Sequence, residues 1–183
     1  MGVHLVYETH ATTEDNEHGV ATGWLPGRLS AAGRHQAEDL GRRRGGTGVA
    51  AVYASDLARA VETARIAFGD SDIPVHVDAR LRECDYGRLN GAPVTDVAVL
   101  RRRCIDEPFP GGQSYRDVVT LTRSFLADLV RDHDGQSIVV VSHSANRWAL
   151  QHLLDGTPLE DLVDAPFDWR PGWDYTVPAA PHA

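Results

Sequence analysis

The chain has 183 residues, 42% of them hydrophobic and 24% charged, which suits one folded water-soluble domain over residues 1–183. No apolar run reaches the roughly 20 residues that span a bilayer, and Met1-Gly2-Val3-His4-Leu5-Val6 lacks both a basic leader and the Ser/Thr that myristoylation would need at position 6, so a cytoplasmic address with no membrane partner is expected. The 18 cationic residues, all arginine, against 26 acidic ones give a net charge of -8, which argues against nucleic acid as a partner, and the absence of lysine removes Schiff-base and P-loop lysine chemistry. Cys84 and Cys104 form no C-x-x-C pair and are expected as reduced thiols.

Along the chain, Val3–Tyr7 is a short apolar strand, and the polar stretch from Ala11 to Arg28 is a loop. Ser30 is placed to cap a helix running to about Arg44, which Gly45-Gly46-Thr47-Gly48 ends. That glycine cluster follows a helix and precedes a strand, the reverse of a dinucleotide fingerprint. Val49–Tyr53 is a buried strand, Ser55 or Asp56 would cap a helix to about Phe68, and Pro74–Val77 is a third strand. Leu81 to Pro110 is less regular, with a helix expected near Val94–Arg103, before a Pro/Gly loop through Gly112. A long amphipathic helix follows from Ser114 to His133, then the wholly apolar strand Ser137–Val141 and a helix from Ala145 to Leu154. The tail holds Trp169, Trp173 and Tyr175 and one more strand. Strands alternating with helices predict an α/β domain with a mainly parallel sheet. The arginine clusters Arg42–Arg44 and Arg101–Arg103 are expected on solvated helix faces.

In open α/β sheets, ligands bind beyond the carboxyl ends of the strands. There stand His10 after the first strand, Ser55, Asp56 and Arg59 after the second, Arg82, Glu83 and Asp85 after the third, and Ser142-His143-Ser144 after the fourth. These residue types suit phosphoryl transfer. A neutral imidazole is a good nucleophile near neutral pH, and arginine offers a planar donor fork to phosphate oxygens. A second histidine can stabilise the transferring group, and a carboxylic acid can protonate the leaving alcohol and later deprotonate water. No metal is called for. A serine hydrolase would need a Gly-x-Ser-x-Gly elbow, which Ser142-His143-Ser144 does not supply, and the nine histidines show no zinc-ligand spacing.

Four segments in order make the chain resemble the histidine phosphatase superfamily, with its phosphoglycerate mutase-like fold. They are Leu5–Asn16, containing Thr9-His10-Ala11; Ser55–Ala64, containing Arg59; Leu81–Gly87, containing Glu83; and Val140–His143. Gly23-Trp24-Leu25 and Leu29–Gly33 add to the likeness. The resemblance implies a three-layer α/β fold, a mainly parallel central sheet with helices on both faces. It implies a metal-independent phosphatase acting on a small phosphorylated substrate, without a cofactor and with room for a homodimer. His10 would be the nucleophile, Glu83 the proton donor, and Arg59 and His143 the holders of the phosphoryl group. Asn16 would reach a phosphate oxygen, with Thr9 beside it. Ser114 falls where the family often lines its pocket, or else caps the long helix.

The first motif departs from the family's Arg-His-Gly. Thr9 replaces an arginine, Ala11 and Ser144 replace glycines, and Glu8 stands where an apolar residue is usual. Loss of that arginine removes a charge and a bidentate contact. Arg28, Arg147 or Arg170 could fill the gap; Glu8 could bind a cationic or hydroxyl-rich group of an unusual substrate; or the chain could be a degenerate relative that only binds ligands. A phosphoglycerate mutase-type transferase is the other alternative, disfavoured because such mutases are generally longer. The tail from Phe167 to Trp173 would either wall the pocket or pack the last strand.

Overall fold

A computed structural model describes residues 1–179. In chain order its elements are β1 (Val3–Thr9), α1 (Glu14–Glu17), β2 (Val20–Ala21), α2 (Ala31–Arg44), β3 (Val49–Ala54), α3 (Ala58–Phe68), β4 (Val75–Val77), β5 (Ala92–Pro93), α4 (Val94–Ala98), α5 (Tyr115–His133), β6 (Ser137–Ser142), α6 (Ser144–Asp155), α7 (Leu159–Val163) and β7 (Trp173–Val177). The main sheet has the order β4-β3-β6-β1-β7. The first four are parallel and β7 runs antiparallel on the edge.

Side chains alternate across the sheet, and each face takes its own pair of helices. Val6, Val52, Val139 and Val141 pack on Leu40 of α2 and on Ala60, Ala64 and Phe68 of α3. Leu5, Tyr7, Ile138 and Val140 pack on Phe125, Leu126 and Leu129 of α5 and on Leu150 of α6. This is the expected three-layer α/β arrangement. A third cluster joins the irregular segment to the helices, with Cys84, Val97, Cys104, Ile105, Phe109, Tyr115, Trp148 and Leu162 buried together. Among the described residues no helix is long and apolar enough to cross a membrane.

The differences from the sequence reading have local causes. α3 starts at Ala58 behind Leu57 with no side-chain cap. The expected cap Asp56 is occupied instead by a two-pronged bond to Arg82, at 2.7 and 2.5 Å. The helix expected over Val94–Arg103 stops at Ala98, behind a Pro93 N-cap that offers no side-chain acceptor, and a separate 3-10 turn covers Arg103–Ile105. The loop after β1 contains α1, held by a reciprocal cap in which Thr13 and Asn16 satisfy each other's backbone N–H groups.

Two close approaches fix the loops around the sheet's carboxyl edge. A Cβ on Gly33 in α2 would lie 1.9 Å from the Thr12 carbonyl oxygen, so α2 can seat the β1–α1 loop only with glycine there. A Cβ on Gly112 would lie 2.1 Å from the Asp85 carbonyl oxygen, and so the Pro/Gly loop locks the segment that carries Glu83.

Candidate active site

The register of the two central strands builds the site. Thr9 of β1 pairs with Ser142 of β6, so the next residue on each strand is a histidine. His10 N–H donates to the Ser142 carbonyl at 2.8 Å, and the two imidazole rings stand 5.1 Å apart. His10 Nδ1 lies 2.8 Å from the Ala11 carbonyl oxygen, an acceptor only, which makes Nδ1 the protonated nitrogen and leaves the lone pair on Nε2. Arg59 Nε–H points at that lone pair from 3.3 Å. A group bonded to Nε2 would therefore meet a guanidinium at once.

Arg59 is 2% exposed and is held from behind by two carbonyls, Gly23 at 2.8 Å and Leu25 at 3.2 Å. The Gly23-Trp24-Leu25 stretch of the sequence thus serves as an arginine cradle. The Ala11 N–H is fixed by Thr63 Oγ1 at 3.0 Å, one turn along α3 from Arg59, which ties nucleophile and arginine to a single helix.

His10 and Arg59 line a cavity of about 160 Å³ together with Asn16, Thr22, Glu83, Tyr86, Arg101, Ser144, Arg147, Trp148 and Phe167. Glu83 is buried; its Oε1 accepts from the Cys84 N–H at 2.8 Å, and its backbone carbonyl accepts from the Trp24 indole. Burial raises the Glu83 pKa above the ordinary carboxylate range, against the pull of the Cys84 N–H, Arg59 and the Ala145 N–H at the start of α6. A carboxyl whose hold on its proton is strengthened by burial, in the cavity that the nucleophile lines, is suited to give a proton to a departing oxygen. The His10 pKa is pushed down to about 3 by burial and by the Arg59 charge, so its imidazole is neutral across the physiological range. Burial, with Arg59 and His10, lowers His143 well below the usual histidine value. His143 is wholly buried, and neither ring nitrogen has a hydrogen-bond partner among the described residues. His143 does not itself line the cavity, but its ring adjoins His10, and its unpartnered nitrogens leave hydrogen-bonding capacity beside the nucleophile.

Asn16 lines the cavity, and its Oδ1 is taken by the Thr13 N–H at 3.0 Å, which leaves the amide donors for a ligand. Thr9 and Ser114 do not line it. Thr9 sits at the end of β1. The Ser114 hydroxyl accepts from the Asp117 N–H in a reciprocal cap of α5, which is what the helix-cap reading expects. Glu8 is turned away onto the α2 face of β1, buried between Arg43 at 3.0 Å and Arg44 at 3.3 Å. That corrects two expectations: Glu8 is not placed to bind substrate, and Arg43 and Arg44 do not lie on a purely solvated face. Arg101 is a third correction, since it lines the cavity and stacks over Trp148 at 5.6 Å. The thiol of Cys84 is buried and its pKa is raised far above the ordinary value by burial, so it has no thiolate character. The tail does both things asked of it: Phe167 lines the cavity, while Trp173 meets Tyr7 edge-on at 6.3 Å.

Residues 9–169 match the family model of the histidine phosphatase superfamily, branch 1. The chain belongs to this superfamily. Among its relatives, a 2,3-bisphosphoglycerate-dependent phosphoglycerate mutase of Methylobacterium sp. (strain 4-46) is 32% identical over 86% of this chain and 83% of its own length. Phosphoserine phosphatase 1 of Hydrogenobacter thermophilus is 31% identical over 86% of this chain and 78% of its own. The structure of a mycobacterial glucosyl-3-phosphoglycerate phosphatase, complexed with VO3, superposes with a TM-score of 0.78 at 27% identity, covering 87% of this chain and 85% of that one. Superfamily membership supports an enzyme of phosphate-ester hydrolysis or phosphoryl transfer.

Sequence reasoning missed Thr22, Tyr86, Arg101 and Trp148 as cavity residues. None of these carried a local signal: Arg101 read as one of three arginines on a solvated helix face, and Tyr86 lay beside Glu83 without a role of its own.

Proposed function

We propose that this chain hydrolyses a small-molecule phosphomonoester, without a metal, through a phosphohistidine on His10. The observation that carries this reading is the pairing at His10: Nδ1 tied to a carbonyl at 2.8 Å and Nε2 facing Arg59 at 3.3 Å, in a cavity that Glu83 also lines. In the first step Nε2 attacks phosphorus as the bond to the leaving oxygen breaks, and Glu83 passes its proton to that oxygen. Arg59 and His143 hold the non-bridging oxygens. In the second step water attacks the phosphohistidine, Glu83 takes the water's proton, and inorganic phosphate leaves with His10 regenerated.

Transfer to a second substrate hydroxyl, as in a mutase, is a second reading. It is favoured by the mutase relative, of which this chain spans 83%, so length does not separate the two activities. Water as acceptor is supported by the phosphatases among the relatives and structural neighbours. A binding-only role is disfavoured because His10, Arg59 and Glu83 converge on one cavity with His143 adjoining His10. The test is phosphate release from a broad panel of phosphorylated small molecules, without added metal, for wild type beside His10→Ala. Release by wild type alone is expected. Isomerised phosphoester without free phosphate would indicate the mutase, and release by both proteins would exclude the His10 mechanism.

A further inference from the structure

With threonine at position 9 the phosphate pocket is one guanidinium short, and three arginines were candidates to restore it. Arg28 does not line the cavity, and Arg170, 4.0 Å from Asp168, lines only a second recess beside Trp173, which Arg147 also borders. Arg147 does line it. It stands in the first turn of α6, its N–H donating to the His143 carbonyl at 3.2 Å. Its guanidinium stacks on Trp173 at 5.1 Å, and Trp173 is the strand partner of Tyr7. Tyr7 and Thr9 are two residues apart on β1 and so share a face. Arg147 therefore reaches over the face from which side chain 9 projects. Its only side-chain hydrogen bond among the described residues is a long one to Gln151, at 3.4 Å; its Nε is buried without a partner, and no carboxylate lies within ion-pair distance. Asp155 and Asp174 border the second recess with it but form no ion pair with it, and a part-buried guanidinium that is not in an ion pair, at the wall of a cavity, is poised for an anion.

We infer that Arg147 is the arginine that replaces the missing side chain at position 9, and that it binds the phosphoryl group together with Arg59. This rests on the phosphoryl-transfer reading of the site. Arg101 also lines the cavity, and its Nε too is buried without a partner, but it donates to the Val163 carbonyl at 3.5 Å, stacks over Trp148, and has no stacking contact with a residue of the β1–β7 pair.

The test is calorimetric titration of the full chain with orthovanadate and with inorganic phosphate, alongside turnover of the best panel substrate. Arg147→Met should weaken both anions roughly 10- to 100-fold, the usual scale for one charge-assisted contact. Arg147→Lys should fall between it and wild type, and Arg170→Met should bind like wild type. Thr9→Arg alone should gain nothing, because the place is filled, yet in the Arg147→Met background it should recover most of the loss. Thermal unfolding of each variant separates misfolding from lost binding. Wild-type affinity in a folded Arg147→Met, or a loss carried by Arg101→Met instead, would overturn the assignment while leaving His10-dependent turnover intact. A wild type that neither binds vanadate nor turns over any substrate would sink the inference together with the reading beneath it.

Discussion

Burial and the Arg59 charge disfavour the charged forms of His10 and His143, and this has consequences for stability as well as chemistry. Between the ordinary histidine value of 6.5 and the His10 value of about 3, the unfolded chain binds a proton at position 10 that the folded chain does not. Stability therefore rises with pH in that window and is lost on acidification, and His143 acts in the same direction. Glu83 has the opposite sign: its folded pKa is raised above the ordinary 4.5, so above that pH the unfolded chain loses a proton that the folded one keeps. Tm measured from pH 4 to 8 should thus fall less steeply on acidification in His10→Asn than in wild type. Glu83→Gln should be more stable than wild type at pH 7.5, with the difference closing near pH 4.5. Parallel Tm curves for all three proteins would refute both shifts. In catalysis, Glu83→Gln should slow turnover on the order of 100-fold or more for an alkyl phosphate and far less for a nitrophenyl phosphate, whose leaving group needs no proton. Equal losses on the two would remove Glu83 from the role of acid.

At the scale of elements, β1, α2 and the tail are tied through one carboxylate. Glu8 bonds Arg43 and Arg44, and Arg44 also reaches the Pro171 carbonyl at 3.1 Å, beyond the Phe167 wall of the cavity. The partners differ in exposure: the Glu8 side chain is 4% exposed, those of Arg43 and Arg44 31% and 19%. Removing Glu8 leaves guanidiniums that can turn to water, whereas removing both arginines strands a buried charge. Chemical denaturation should therefore show Arg43→Met/Arg44→Met losing more than Glu8→Met, by about 3–5 kcal/mol against wild type for the stranded carboxylate. Equal losses would mean that Glu8 is solvated in solution. Gly33→Ala, although alanine is the better helix former by about 1 kcal/mol, should lower Tm, because its Cβ meets the Thr12 carbonyl. The elements that were legible in the sequence were those whose pattern is local: apolar runs for β1, β3 and β6, and Ser30 and Ser114 as caps. α1 was hidden in a polar loop, although Thr13 and Asn16 at cap spacing were its trace. The positions of Glu8 and Arg101 depend on partners about 35 and 47 residues away (Arg43 and Trp148), which no local pattern encodes.

The whole molecule places its chemistry by strand order. β6 sits between β3 and β1, so the carboxyl ends of all three open on one edge, and α6 leaves directly from His143. Four motifs in sequence order were enough to recognise the fold and to put forward His10, Arg59, Glu83 and His143 as candidates, since strand ends in a parallel sheet converge by topology. What the sequence left open was which arginine answers Thr9, because the reach of a helix side chain across a sheet face is a tertiary fact. The covalent intermediate on His10 can be trapped directly. A rapid alkaline quench of the wild type with its best panel substrate, followed by peptide mass mapping, should find one phosphoryl group on the peptide that carries His10, and none in His10→Asn. Phosphate released at full rate with that peptide unmodified at every quench time would contradict it.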